Sequence, residues 1–329
     1  MGCGSLVADT IWANYIAKEG YDFILRPQET PGYMYNIREM ANNKSRWPTT
    51  LFETEDTIPV LGYMAGGTPA LKDFLPKKID TPWKLIYNVG WWSQGMWYIT
   101  FDKNIKKIGD LKGKKIGLGL KTQSDWGMDA TLFLDCAYGI NNENSDLYYL
   151  GPDKMTDALL DRKVDAICMG MGTNGTKTDG VIKAWIPSGV YLKLKASGRS
   201  LNYVPMDGWA VDKVNKKYGT SYNLLTVPAG TLKDQKEDLT VGADRAYGAC
   251  HASFPEELAY KVVMSMAKLG PKLQKSKAHG FWIYAWKYEN MVNGLSEKNA
   301  HPGAIKAYKE LGLWEKRKEF PVINWPMKN

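Results

Sequence analysis

Side chains able to recognise a small solute recur in this sequence where strand patterns give way to helical ones. Lys121-Thr122-Gln123-Ser124-Asp125 lies between a strand pattern at 115–118 and a helical pattern at 126–138. Its hydroxyls and amide, together with the free N–H groups of a helix start, suit a carboxylate; plain N-capping by Ser124 or Asp125 is the simpler use of the same residues. An anion would meet repulsion from Asp125 unless that carboxylate is paired or directed away. Glu53-Thr54-Glu55-Asp56 follows Leu51-Phe52, and three acids in four residues suit a cation or an amine better than a carboxylate. Solvated loop acids are the ordinary alternative. Met171-Gly172-Thr173-Asn174 follows a strand pattern at 164–168; Thr173 and Asn174 each donate and accept hydrogen bonds, or the run is a simple turn. Aromatic residues are dense from Trp83 through Tyr87, Trp91, Trp92, Trp97 and Tyr98 to Trp126. Trp91, Trp92 and Trp126 are the candidates to stack on a planar or apolar ligand, with core or hinge packing as the other role.

Catalytic and metal chemistry lack their residue patterns. His251, His279 and His301 have no zinc-ligand spacing, and Cys3, Cys136, Cys168 and Cys250 have no CxxC pair. There is no GxSxG elbow or phosphate-binding loop, and Gly117-Leu118-Gly119 alone is a weak signal. Neither an enzyme nor a cofactor or metal site is therefore expected from these patterns. Cys136, in a helical pattern, and Cys168, in a strand, read as buried free thiols. The net charge of +8 is spread along the chain; it favours anionic ligands or an anionic membrane face and lacks the concentrated stripe that nucleic acid binding needs.

At 329 residues, with 44% hydrophobic and 24% charged side chains, the expectation is two globular lobes. No apolar run approaches the roughly 20 residues that span a bilayer, and residues 1–10 lack the features of a secretory signal peptide. Helical patterns are expected around Ile11–Ala17 positions, at 33–41, 126–138 and 153–160, and strands at 23–25, 49–52, 97–101, 115–118, 147–150, 164–168, 190–194 and 239–241. Such alternation implies largely parallel sheets. Ser253-Phe254-Pro255-Glu256 has the form of a capping box opening a long helix. The reading is α/β, with two doubly wound lobes joined by crossing strands: residues 1–98 and 240–329 form the first, residues 99–239 the second, and the return lies between 225 and 245.

Two further segments complete the picture. Ile108-Gly109-Asp110-Leu111-Lys112-Gly113 is a helical turn stopped by glycine, ahead of a strand; from His301-Pro302-Gly303 to Leu311-Gly312 runs a short helix with proline in its first turn and a glycine cap. With the turn Gly2-Cys3-Gly4-Ser5, the stretch at 158–166 and the loop at 227–231, these segments in this order resemble the TAXI subfamily of extracytoplasmic solute receptors of TRAP transporters. The resemblance implies a periplasmic-binding-protein clamp of type II-like form that captures a small organic anion or amino-acid-like solute. It implies ligand contacts at Gly4 and Ser5, at Thr122, Gln123, Ser124 and Asp125, and at Thr173 and Asn174. An amino-acid-like solute would place its acid at Ser5 and Thr122 and its amine at Glu53 or Glu55, with Thr54 in the same run. Many such receptors carry a Gly-Ser-Gly-Thr-like run where this chain has Thr122-Gln123-Ser124-Asp125, which bears on ligand charge. A monomer at the periplasmic face, or a cell-surface lipoprotein, working with separate transmembrane permease subunits is implied. Receptors of ATP-driven importers or sensor kinases share the clamp, as do a few enzymes.

Overall fold

The computed structural model describes residues 4–65, 69–89, 94–176, 181–277, 280, 282 and 286–318. In chain order the elements are α1 (Gly4–Lys18), α2 (Tyr33–Asn42), β1 (Phe52–Glu55), α3 (Thr57–Met64), β2 (Trp83–Asn88), β3 (Gln94–Thr100) and β4 (Lys115–Leu118). A π-helical turn, Ser124–Asp129, runs into α4 (Ala130–Tyr138), followed by β5 (Asp146–Tyr149), α5 (Pro152–Leu160), β6 (Ala166–Thr176), β7 (Ile182–Ile186), α6 (Gly189–Ala196) and β8 (Asn202–Val204). The rest are α7 (Gly208–Tyr218), β9 (Asn223–Val227), β10 (Leu239–Asp244), β11 (Ala246–His251), α8 (Glu256–Ser276) and α9 (Pro302–Glu310).

The α/β architecture is present as two sheets. The smaller has the order β1-β11-β2 and is antiparallel throughout. The larger has the order β5-β4-β6-β3-β10-β9, with β7 on β6 and β8 on β3. Strand direction departs from the largely parallel expectation. Among the described strands, parallel pairing is confined to β4 with β5 and β6, the place where α4 and α5 carry the chain back across the sheet. The chain passes from the small sheet to the large one between Asn88 and Gln94, and returns through a single residue, Arg245, between β10 and β11. The sequence reading drew lobe boundaries at 98/99 and 239/240.

Helices α8 and α9 pack on each other and on β2, and α8 also meets α1. Their shared core holds Trp12, Trp282, Trp286 and Tyr308, all nearly or fully excluded from solvent. Helix α9 begins as its sequence requires: Pro302 occupies the first turn, and His301 Nδ1 accepts from the Gly303 N–H at 3.2 Å. Its Nε2 lies 2.8 Å from the Phe254 carbonyl, so the neutral Nε2–H tautomer satisfies both contacts. Gly312 closes the helix at φ +65°.

Four local expectations are corrected. Residues 23–25 form no strand; they lie in a loop that lines a cavity. The strand expected at 49–52 runs instead over β1, where Phe52–Glu55 pairs with Ala246–Ala249 of β11, which places Glu53 and Glu55 in the sheet and not in a loop. Residues 190–194 belong to α6: Ser188 Oγ accepts from the Tyr191 N–H at 3.2 Å, and the cap outweighs the β-propensity of Val190 and Tyr191. The capping box at 253–256 does not form, because the Ser253 hydroxyl turns to His251 Nδ1 at 2.7 Å.

Burial holds His301 below its ordinary 6.5, the Phe254 carbonyl opposing. A depressed histidine contributes stability that is complete above the unfolded value and lost as pH falls through the folded one. The stability gap between the wild type and His301→Asn, measured by urea unfolding, should therefore be widest above pH 6.5 and narrow steadily below it. An unchanged gap from pH 7.5 to pH 5 would show that His301 is not held neutral.

Candidate ligand cavity and acidic junction

Helix α1 sets Ser5, Asp9 and Trp12 at i, i+4 and i+7, so they share one face. That face closes one side of a cavity of about 530 Å³, whose other walls come from residues 23–30, the start of α2, Glu53 of β1, Tyr87 of β2 and Phe254 and Leu258 near the start of α8. The volume falls within the range of small-molecule sites. Glu53 is held firmly. The Tyr33 hydroxyl donates to its Oε2 at 3.1 Å, and Asn36 Nδ2 donates to its backbone carbonyl at 3.0 Å. Burial raises the Glu53 carboxyl above its usual range, with the Ser5 and Tyr33 hydroxyls opposing. Burial, then the neighbouring Glu53 charge, raises Asp9 well above its own. Trp12 is braced edge-on by Tyr87 and Trp282, with ring centroids 6.3 and 6.4 Å apart.

Three buried polar atoms of the cavity residues have no hydrogen-bond partner among the described residues: Asp9 Oδ1, Glu53 Oε1 and Trp12 Nε1. Buried polar atoms are almost always paired. Two acceptors and a donor are thus left unpaired beside the aromatic side chains of the cavity residues. Arg26, exposed, stands at the rim.

A second cluster lies where the sheets exchange strands. Glu55 at the end of β1, Asp125 in the π-helical turn and Asp244 at the end of β10 bring carboxylate oxygens within 4.8 Å of one another. Asp56 pairs with Arg245 at 2.8 Å, and both are fully buried. Thr57 Oγ1 donates to Asp244 Oδ2 at 3.1 Å, and the Tyr222 hydroxyl donates to Asp129 Oδ1. Burial, followed by the mutual repulsion of these acids, raises Glu55 and Asp244 well above the carboxylate range. Asp129 is pushed up to about 8 by burial, with Tyr222 opposing.

The structure distributes the sequence-derived candidates among three places. Ser5 and Glu53 meet in the cavity; Gly4 begins α1 beside them. Thr54 is buried on the opposite face of β1 and its hydroxyl donates to the Glu55 carbonyl at 3.3 Å. Ser124, Asp125 and Trp126 belong to the acidic junction: Ser124 Oγ donates to Asp125 Oδ1 at 3.0 Å and Trp126 Nε1 to Oδ2 at 3.2 Å. Trp126 packs over Gly170, where an added Cβ would lie 2.0 Å from Nε1. Thr122 ties the loop after β4 to the turn before α2: its hydroxyl donates to the Pro31 carbonyl at 2.9 Å and its carbonyl accepts from Met34 N–H at 3.2 Å. Gln123 Oε1 accepts from the Leu120 N–H at 2.9 Å. Thr173 and Asn174 are not in a turn; they continue β6 opposite Trp185 and Ala184 of β7. Trp91 and Trp92 lie outside the described residues.

Sequence reasoning passed over Asp9, Trp12, Tyr33 and Tyr87 in the cavity, and Asp129, Asp244 and Arg245 at the junction. A signal existed for the last two, a charged pair inside the otherwise apolar run from Val241 to Cys250. None distinguished Asp9 from a solvated helix residue.

A model of the NMT1-like family matches residues 85–312. Among solved structures, the chain is similar to MatC from Rhodopseudomonas palustris with bound malate, at 13% identity and a TM-score of 0.48, covering 96% of this chain and 94% of that one. It is similar to the periplasmic aliphatic sulphonate binding protein SsuA from Escherichia coli at 12% identity and a TM-score of 0.45, covering 93% and 79%. An ancestral arginine-binding protein bound to arginine is similar at 12% identity and a TM-score of 0.41, covering 84% and 87%.

Proposed function

This chain belongs to the NMT1-like family, and from that premise and the cavity we propose that it is a solute-binding receptor for an amine-bearing, amino-acid-like solute. The observation that carries the reading is the set of open polar atoms, Asp9 Oδ1, Glu53 Oε1 and Trp12 Nε1, in the cavity wall. A protonated amine neutralises the two acids, an apolar body packs on Trp12, Tyr33 and Tyr87, and a carboxylate at the other end reaches Arg26. An acidic floor suits an amine-bearing, amino-acid-like solute better than a purely anionic one, the other class the resemblance implies.

Binding is coupled to the arrangement of the halves through one turn. Thr30, Gly32 and Tyr33 line the cavity, and the neighbouring Pro31 and Met34 carry the bonds to Thr122. A solute that orders the turn from inside favours the docked state of Thr122 outside, a population shift between open and closed clamps. In the finer reading the receptor is of the TAXI type, acts outside the cytoplasmic membrane, turns nothing over and presents its solute to a separate TRAP-type permease.

Thermal-shift screening of the purified protein against amino acids, amines, dicarboxylates and 2-oxo acids tests the solute class. A saturable upward shift is expected with amine-bearing compounds, and calorimetry with the best of them should give one site per chain. Glu53→Gln and Asp9→Asn should each weaken that binding about 10- to 100-fold, from the loss of a charge-assisted hydrogen bond. Shifts confined to dicarboxylates, or full affinity in both variants, would refute the amine reading.

A further inference from the structure

We propose that Glu55, Asp125 and Asp244 form a binding site for a calcium ion that ties the two sheets together. The three carboxylates come from both sides of the strand exchange, and their oxygens already lie within 4.8 Å of one another. Oxygens bound to one calcium ion at ~2.3–2.6 Å lie at most about 5 Å apart, so the spacing fits a shared ion. A second observation points to a ligand here. Glu55 is fully buried, and no N–H or hydroxyl group among the described residues donates to either of its carboxylate oxygens, which face the Asp125 carboxyl. Asp129, buried next to the group, likewise leaves Oδ2 without a hydrogen-bond partner among the described residues.

The other ligands are already oriented. Ser124 and Trp126 each donate to Asp125, and Thr57 donates to Asp244, the outer contacts that fix metal-ligating carboxylates. Arg245, the cation at the strand exchange, is engaged by Asp56. An all-oxygen set selects a hard cation. The enclosure favours calcium over magnesium, which retains several of its waters. Because Glu55 stands on the small sheet and Asp244 on the large one, the ion holds the exchange point in the arrangement seen here.

The test uses chelator-treated full-length protein titrated with calcium chloride, followed by thermal melting and by calorimetry. One site per chain and a saturable rise in Tm, on the order of 5 °C or more, are expected. Glu55→Gln and Asp244→Asn should abolish the rise, and Glu53→Gln, in the cavity, should keep it. In chelator, Glu55→Gln should melt no lower than the wild type, because its amide can donate to the carboxylates of Asp125 and Asp244 that otherwise crowd Glu55; this keeps the test decisive if Asp244→Asn folds poorly. The absence of any calcium-dependent rise, or the same rise in Glu55→Gln, would overturn the site. An equal response to magnesium would overturn the assignment to calcium.

Discussion

Arg245→Met is expected to produce the largest loss of stability of any single substitution at the strand exchange. Arg245 and Asp56 are both fully excluded from solvent and 2.8 Å apart, and Asp56 stands among Glu55, Asp129 and Asp244, which act on one another through their charges. Methionine preserves much of the apolar stem and removes the only neutralising guanidinium described within this group. Breaking one side of a buried pair costs about 3–5 kcal/mol, and the surrounding acids push toward the upper end. In chelator-treated buffer the Tm should fall by roughly 10 °C or more. Adding Asp56→Asn should recover part of the loss, since the amide no longer needs a counter-charge. That non-additivity separates an electrostatic cause from a packing one. If Arg245→Met melts with the wild type, the pair is not what stabilises the exchange point.

Gly32→Ala is expected to loosen the contact between the turn before α2 and the loop after β4, one of several contacts, with Lys121–Asp73 and Phe74–Tyr149, that join the two sheet regions. Gly32 adopts φ +136° and ψ 173°, a region open essentially to glycine alone, and forcing a side chain into it costs on the order of 1–3 kcal/mol. The added Cβ would also lie 2.4 Å from the Thr122 carbonyl oxygen, and a backbone atom has no rotamer by which to retreat. The collision falls on the oxygen that accepts from the Met34 N–H, so relief requires the loop at 121–123 to withdraw from α2. A lower Tm and a larger radius of gyration in solution scattering are the expected results. Thr122→Ala, which removes only the side-chain bond to Pro31, should cost about 1 kcal/mol and leave the radius nearly unchanged. An unaltered radius and Tm in Gly32→Ala would mean that the Thr122 contact does not help to hold the two sheet regions together.

Both substitutions act where residues distant in sequence converge, which is also where sequence reasoning was weakest. Local pattern sufficed for β4, whose bounds were legible as a strand between Gly113 and a polar turn, and for α9, whose proline start and glycine stop are chemical signals carried by the residues themselves. It failed at 190–194, where a serine cap outranked β-branched propensity, and at 253–256, where a neighbouring histidine captured the capping serine. In each failure the competing contact spanned only two or three residues, yet its partner had several alternatives that composition alone does not rank.

The acids of Glu53-Thr54-Glu55-Asp56 show the division most clearly. Their density and their suitability for a cation were readable from the residue types, because charge is a property of the side chain. Where each acid is placed was decided by tertiary structure, which gives Asp56 the Arg245 guanidinium and the others no cation among the described residues. Glu53 and Glu55 lie on the same face of β1, and position along the strand separates them: Glu53 lines the cavity beside α1, while Glu55, at the strand end, reaches the point where β10 passes into β11. Asp125 and Asp244 arrive there only because the chain crosses between sheets and the π-helical turn folds back on β6. Sequence determines which groups are charged, which segments are helical and where turns close, since these depend on neighbours along the chain. The cavity, its open polar atoms and the three-carboxylate cluster depend on burial and on contacts across more than a hundred residues, and only the folded chain supplies those.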